Sequence, residues 1–121
     1  MAASVLFLEY PKCSTCQKAR AWLDERGVAY EARSIVEDNP SADELRRWHE
    51  LSGLPLRRFF NTSGMLYREM ELAKRLRDLD DRAQYDLLAT DGMLVKRPLL
   101  VTEATAIPGF KEAAWAEALG L

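Results

Sequence analysis

The chain opens on an apolar run, Val5-Leu6-Phe7-Leu8, whose continuity over residues 4–9 predicts a buried strand that Pro11 ends. Over residues 15–26 the rhythm turns helical. Ala19, Trp22 and Leu23 share one face, Lys18, Asp24 and Glu25 lie off it, and Gly27 follows as a C-cap. Residues 28–36 alternate as a second strand, which Asn39-Pro40 breaks. Strand, helix and strand within roughly 30 residues make a βαβ unit, so these two strands run parallel.

Ser41 begins a second helix, with Glu44 three positions on as its capping-box partner. Leu45, Trp48 and Ser52 follow on one face before Gly53 and Pro55 stop it. Beyond Phe59-Phe60 and the turn Asn61-Thr62-Ser63-Gly64, helical patterns run over residues 66–79 and 82–90, and Asp91-Gly92 ends them. After Lys96-Arg97-Pro98 comes a short apolar strand, residues 99–102, then a turn at Glu103-Ala104 and a last strand, residues 105–107. So tight a turn makes an antiparallel hairpin. Ala113, Trp115, Ala118 and Leu119 then line a final helix beyond Pro108-Gly109. The expectation is an α/β domain spanning residues 1–121, a mixed four-stranded sheet with helices on both faces. A helical insert at about residues 41–93 separates a βαβα half from a ββα half.

Composition adds exclusions. Of 121 residues 48% are hydrophobic and 30% charged, which suits one globular core. Seventeen basic against 19 acidic residues leave a net charge of -2, no electrostatic case for nucleic acid or an anionic membrane. Neither an apolar run of about 20 residues nor a basic start with a cleavage site occurs, so a cytoplasmic protein is expected, and a monomer.

The chemistry lies in the only two cysteines, Cys13 and Cys16. A secreted disulfide scaffold would spread more of them along the chain. Zinc needs about four ligands, and with His49 as the sole histidine no metal is expected. Cys13-Ser14-Thr15-Cys16 falls in the turn from the first strand into the first helix. Unpaired backbone N–H groups and the positive end of the helix dipole favour thiolate there. Cys13, nearer that end, is the expected nucleophile. Cys16, one turn on, is placed to resolve a mixed disulfide; the lesser alternative is that both thiols merely fill the core. Ser14 and Thr15 cap the helix, hold a substrate oxyanion or sulfur beside Cys13, or do both.

Arg97-Pro98 precedes a strand, where an X-Pro bond is a site for a cis peptide and Arg97 is available to a thiolate or oxyanion. Elsewhere the bland readings win. His49 is expected at the surface and Trp22, Trp48 and Trp115 in the core. Arg75, Arg77 and Arg82 alternate with Asp78, Asp80 and Asp81 as a solvated, salt-bridged face.

Tyr10-Pro11-Lys12-Cys13-Ser14-Thr15-Cys16-Gln17-Lys18-Ala19 with Gly27-Val28 resembles the arsenate reductase (ArsC) family. So do Leu94-Val95-Lys96-Arg97-Pro98-Leu99-Leu100-Val101 and Gly109-Phe110, in the same order along the chain. The resemblance implies a thioredoxin-like, glutaredoxin-like fold with a helical insert, and a cis-proline at Pro98. It also implies a cysteine nucleophile at Cys13 and no bound cofactor, with glutathione as a co-substrate. Family reductases hold arsenate with three arginines. Arg97 matches one, but the other two positions fall at Asn61 and near Phe110-Lys111, leaving Arg57, Arg58 and Lys111 as candidate replacements. Those reductases also typically lack a cysteine at the position of Cys16. The CxxC is more similar to the Spx and MgsR branch, regulators that bind RNA polymerase rather than DNA.

Three functions follow. First comes a thiol–disulfide reductase of a disulfide or small oxidised substrate, partnered by a small thiol or oxyanion or by a protein disulfide. Cys13 is its nucleophile, Cys16 its resolving thiol and Arg97 a further catalytic residue, with Ser14, Thr15, Asn61 and Pro98 binding. Second comes a redox-sensing regulator of the polymerase-binding type. Third comes a glutathione-dependent arsenate reductase.

Overall fold

Alternation along the first strand, β1 (Leu6–Glu9), decides which layer each neighbouring helix joins. The computed structural model describes residues 4–121, so the first three positions of the expected domain lie outside the described residues. Four strands pair in the order β2-β1-β3-β4. β1 runs parallel to β2 (Glu31–Ser34) and antiparallel to β3 (Leu99–Val101), and β3 pairs antiparallel with β4 (Ala106–Pro108). The register sets Phe7 opposite Ala32 and Leu100, so side chains of like parity share a face. Phe7 and Leu100 point to the side covered by α1 (Ser14–Glu25) and α6 (Glu112–Leu119), meeting Trp22 and Trp115. Leu8, Leu99 and Val101 face the other way, against α2 (Ala42–Ser52) and the insert.

The first three strands are shorter than the apolar pattern predicts, the last is shifted by one residue, and the hairpin closes as expected. The Thr102 N–H donates to the Thr105 carbonyl at 2.8 Å, while the Thr102 hydroxyl accepts from the N–H groups of Ala104 and Thr105. Pro108, read from the sequence as lying beyond the last strand, is its final residue, opposite Leu99. β4 is an edge strand, where a missing N–H costs nothing.

Ser41 caps α2 with the predicted reciprocal box: its hydroxyl accepts from the Glu44 N–H, and the Glu44 carboxylate accepts from the Ser41 N–H. Glu44 also receives the Arg33 guanidinium as a fork at 2.6 and 2.8 Å, which ties β2 to α2.

The insert departs from expectation over residues 66–79. Instead of one helix there are α3 (Met65–Glu69), α4 (Leu72–Arg75) and a 3-10 turn, Leu76–Asp78, broken at Glu71, whose φ is +52°. Tyr67 and Leu72 are both buried, yet five positions along one straight helix lie about 140° apart. The break turns both toward the core. α5 (Asp81–Thr90) follows, with the Asp80 carboxylate accepting from the Ala83 N–H. Among the described residues no ion pair joins Arg75, Arg77 or Arg82 to the neighbouring aspartates.

Candidate functional site

The Tyr10–Cys13 turn carries the chain from β1 into α1. The Cys13 N–H donates to the Tyr10 carbonyl at 2.9 Å, and the Gln17 side-chain amide holds the Pro11 carbonyl at 2.8 Å. Cys13 is the N-cap of α1 and half-buried, with extended backbone (φ −86°, ψ 121°). Cys16, on the inner face of the first turn, is only 1% exposed. Its Sγ accepts from the Tyr10 N–H at 3.5 Å. Both thiols are free.

Their acidities diverge for reasons visible in this arrangement. Partial burial pushes the Cys13 thiol up. That push is outweighed by the N–H of Cys16, the Cys16 thiol, the N–H of Thr15 and the Arg97 charge, and the net direction is down. No side chain closes a hydrogen bond of normal length on this helix end, so the two N–H groups act on Cys13 chiefly as an oriented field. Cys16 is driven the other way, to about 12, by burial first and then by the hydrogen bond and charge of Cys13, against the Tyr10 N–H and Arg97.

Arg97-Pro98 is a cis peptide, as the sequence led us to expect. The Arg97 guanidinium lies 5.5 Å from the centre of the Tyr10 ring and donates to the Met93 and Val95 carbonyls, each at 3.2 Å. The Pro98 carbonyl accepts from the Gly109 N–H at 2.8 Å, which clamps the end of β4 to the start of β3. Gly109 needs its freedom, with φ at +85°, and its own carbonyl accepts from the indole N–H of Trp115 at 3.0 Å.

A pocket of about 430 Å³ opens beside the cysteine loop, lined by Thr15, Arg97, Pro108, Gly109 and Phe110 together with Arg58, Lys96 and Lys111. Asn61 is not among its lining residues. The Asn61 N–H donates to the Leu94 carbonyl at 2.7 Å and its carbonyl accepts from Gly64, so its backbone serves the turn. Ser14 is exposed at the first position of α1. Sequence reasoning held Arg58 and Lys111 only as replacements and left out Tyr10 and Lys96 as site residues, although both stand in the motifs it quoted. A backbone N–H aimed at a sulfur six residues away leaves no mark in residue type. His49 is half-buried, with its Nδ1 2.6 Å from the Tyr85 hydroxyl, part of the α2–α5 packing and not of this site.

No cluster of three or more histidine, cysteine, aspartate or glutamate side chains suited to a metal ion occurs among the described residues, and no helix there is long and apolar enough to cross a membrane. A CxxC at the first turn of a helix, on a four-stranded mixed sheet with a cis-proline before its third strand, defines a thioredoxin-like α/β protein. The chain belongs to the ArsC family, whose model matches residues 8–118. It is 49% identical to the uncharacterised Bacillus subtilis protein YusI over 109 residues, 90% of this chain and 92% of that protein. It is 26% identical to the Listeria monocytogenes global transcriptional regulator Spx over 105 residues, 84% of this chain and 76% of Spx. An ArsC-family-related protein from Bacteroides fragilis superposes with a TM-score of 0.93 at 51% identity, covering 97% of this chain and 98% of its own. A Streptococcus mutans protein described as a possible arsenate reductase superposes with a TM-score of 0.89 at 46% identity, covering 98% and 99%.

Proposed function

We propose that the protein is a thiol–disulfide redox protein that reduces a disulfide or a small oxidised substrate, with Cys13 as nucleophile and Cys16 as resolving thiol. The observation that carries this is the inequality of the two thiols: a half-exposed Cys13 held toward thiolate, beside a buried Cys16 held as thiol.

The Cys13 thiolate attacks one sulfur of the substrate disulfide. A Cys13–substrate disulfide forms, the substrate S–S bond breaks, and the departing thiolate takes a proton from solvent. Adduct formation removes the Cys13 charge and thiolate, two of the influences that hold the Cys16 proton on. Cys16 then loses its proton and attacks the Cys13 sulfur. The second half of the substrate leaves as a thiol, and a Cys13–Cys16 disulfide remains. Two electrons have passed from the dithiol to the substrate. A thiol reductant such as glutathione restores the pair, and the chemistry calls for no bound metal or cofactor. Arg97 supports the charge on Cys13, Thr15 lines the adjoining pocket, and Ser14 offers a hydroxyl at the same helix end.

The likeness to Spx favours a second reading, in which the same disulfide changes affinity for a protein partner such as RNA polymerase. Redox titration with mass-resolved alkylation tests the first. Wild type is expected to form the internal disulfide, and Cys16→Ser, given oxidised glutathione, to accumulate an adduct on Cys13. A wild type that keeps a stable glutathione adduct would overturn the resolving role of Cys16 and favour a glutathione-dependent arsenate reductase. Absence of turnover together with redox-dependent capture of RNA polymerase would favour the regulator.

A further inference from the structure

A second cavity adjoins the pocket beside the cysteine loop. Arg58 and Lys96 also line this cavity of about 710 Å³ under the insert, with Arg57, Arg77, Thr62 and Gln84 along its walls. The two cavities therefore share a wall, and both fall within the roughly 300–1,000 Å³ of small-molecule sites.

Their charge is one-sided. Six cations, Arg57, Arg58, Arg77, Lys96, Arg97 and Lys111, line this groove of two adjoining cavities, and no aspartate or glutamate lines either part. The chain as a whole is acidic, with 19 carboxylate side chains against 17 basic ones. Among the described residues none of the six forms an ion pair, whereas Arg20, Arg26, Arg33 and Arg46 all do. Unpaired cations gathered round a concave surface raise the local concentration of anions and offer guanidinium forks to carboxylate or phosphate oxygens.

Resting on the reading of Cys13 as nucleophile, we infer that the substrate is a small disulfide whose body beyond the sulfur carries two or more anionic groups. Its sulfur meets Cys13 at the Thr15 end, while its anionic body runs along Arg58 and Lys96 toward Arg57 and Arg77. The groove selects by charge, and the cysteine pair does the chemistry.

The test compares kcat/KM for four probes: coenzyme A disulfide, with phosphates; glutathione disulfide, with carboxylates; neutral hydroxyethyl disulfide; and cationic cystamine. One or both anionic probes are expected to exceed the neutral one by about tenfold or more at low salt, with the gap narrowing as salt is added. The better of the two identifies the anionic group. In Arg57→Ala/Arg77→Ala the anionic-to-neutral ratio should fall roughly tenfold. Neither side chain makes a hydrogen bond or ion pair within the described residues, so the double substitution removes none from the fold. Arg46→Ala, which lies outside the groove, should leave the ratio unchanged.

Equal kcat/KM across the four probes would overturn the inference and leave the reductase reading intact. If no disulfide is turned over, that reading fails, and calorimetry of coenzyme A disulfide with Cys13→Ser decides the groove separately. Salt-sensitive binding that the double substitution abolishes would uphold it, and no binding would overturn it.

Discussion

The backbone N–H of Tyr10 points at the sulfur of Cys16 across 3.5 Å, while the Tyr10 carbonyl receives the N–H of Cys13. One residue thereby sets both thiols. It holds Cys13 at the mouth of α1 and gives buried Cys16 its backbone donor, and its ring carries the Arg97 guanidinium.

Alkylation against pH should therefore find two different thiols. In Cys16→Ser, Cys13 should react as a stronger acid than an ordinary thiol, because the field of the helix end and Arg97 remain. Cys16 should stay unreactive near neutrality in reduced wild type, its ionisation lying at about 12. Finding Cys16 as the more acidic thiol would reverse the roles.

Removing the Arg97 charge should raise the pKa of Cys13, since that charge is one of the influences holding it down. Arg97→Ala should slow alkylation at neutral pH several-fold and shift its pH profile to higher values. Arg97→Lys should restore part of the shift by supplying a charge without the fork. An unchanged profile in the alanine variant would take Arg97 out of thiol activation.

Arg33 and Glu44 make a pH-dependent tie between sheet and helix. The Arg33 hydrogen bond, against the opposing push of burial, lowers the Glu44 carboxyl to about 2. A folded value below the unfolded one adds stability above the ordinary carboxylate range, and the gain is lost as pH falls toward 2. With side-chain exposures of 16% and 26%, solvent screens the pair weakly. Glu44→Gln should cost on the order of 2 kcal/mol at neutral pH, with the gap to wild type closing in acid. Urea midpoints at neutral and acid pH read this directly, and equal stability at neutral pH would contradict it.

Gly92 touches β2's continuation so closely that a Cβ there would lie 1.7 Å from the Ile35 carbonyl oxygen. Since backbone cannot yield as a side chain does, Gly92→Ala should cost about 3 kcal/mol or more. A chemical denaturation curve matching wild type would show that the two segments separate easily.

Local chemistry was the most legible layer. The CxxC, the helix it opens and the Ser41–Glu44 box follow from residues close together in sequence, whereas the cis peptide at Arg97-Pro98 was expected from the family resemblance. Caps and helix-end fields act within one turn. The break at Glu71 was not legible, because periodicity reports which residues are apolar and not that Tyr67 and Leu72 must both turn inward.

The acid-free groove belongs wholly to the tertiary structure. Arg57-Arg58 and Lys96-Arg97 stand far apart in the chain. They meet because Phe60 bridges to Val95, the Lys96 N–H donates to the Phe59 carbonyl at 2.8 Å, and the Asn61 N–H donates to Leu94. Burial of Phe59, Phe60, Leu94 and Val95, each at most 1% exposed, drives that junction. Which sulfur stands at the mouth of α1 follows from the sequence alone, since a helix end needs only its own residues. Which cations line the cavities beside it was decided by apolar side chains from two distant segments closing over one core.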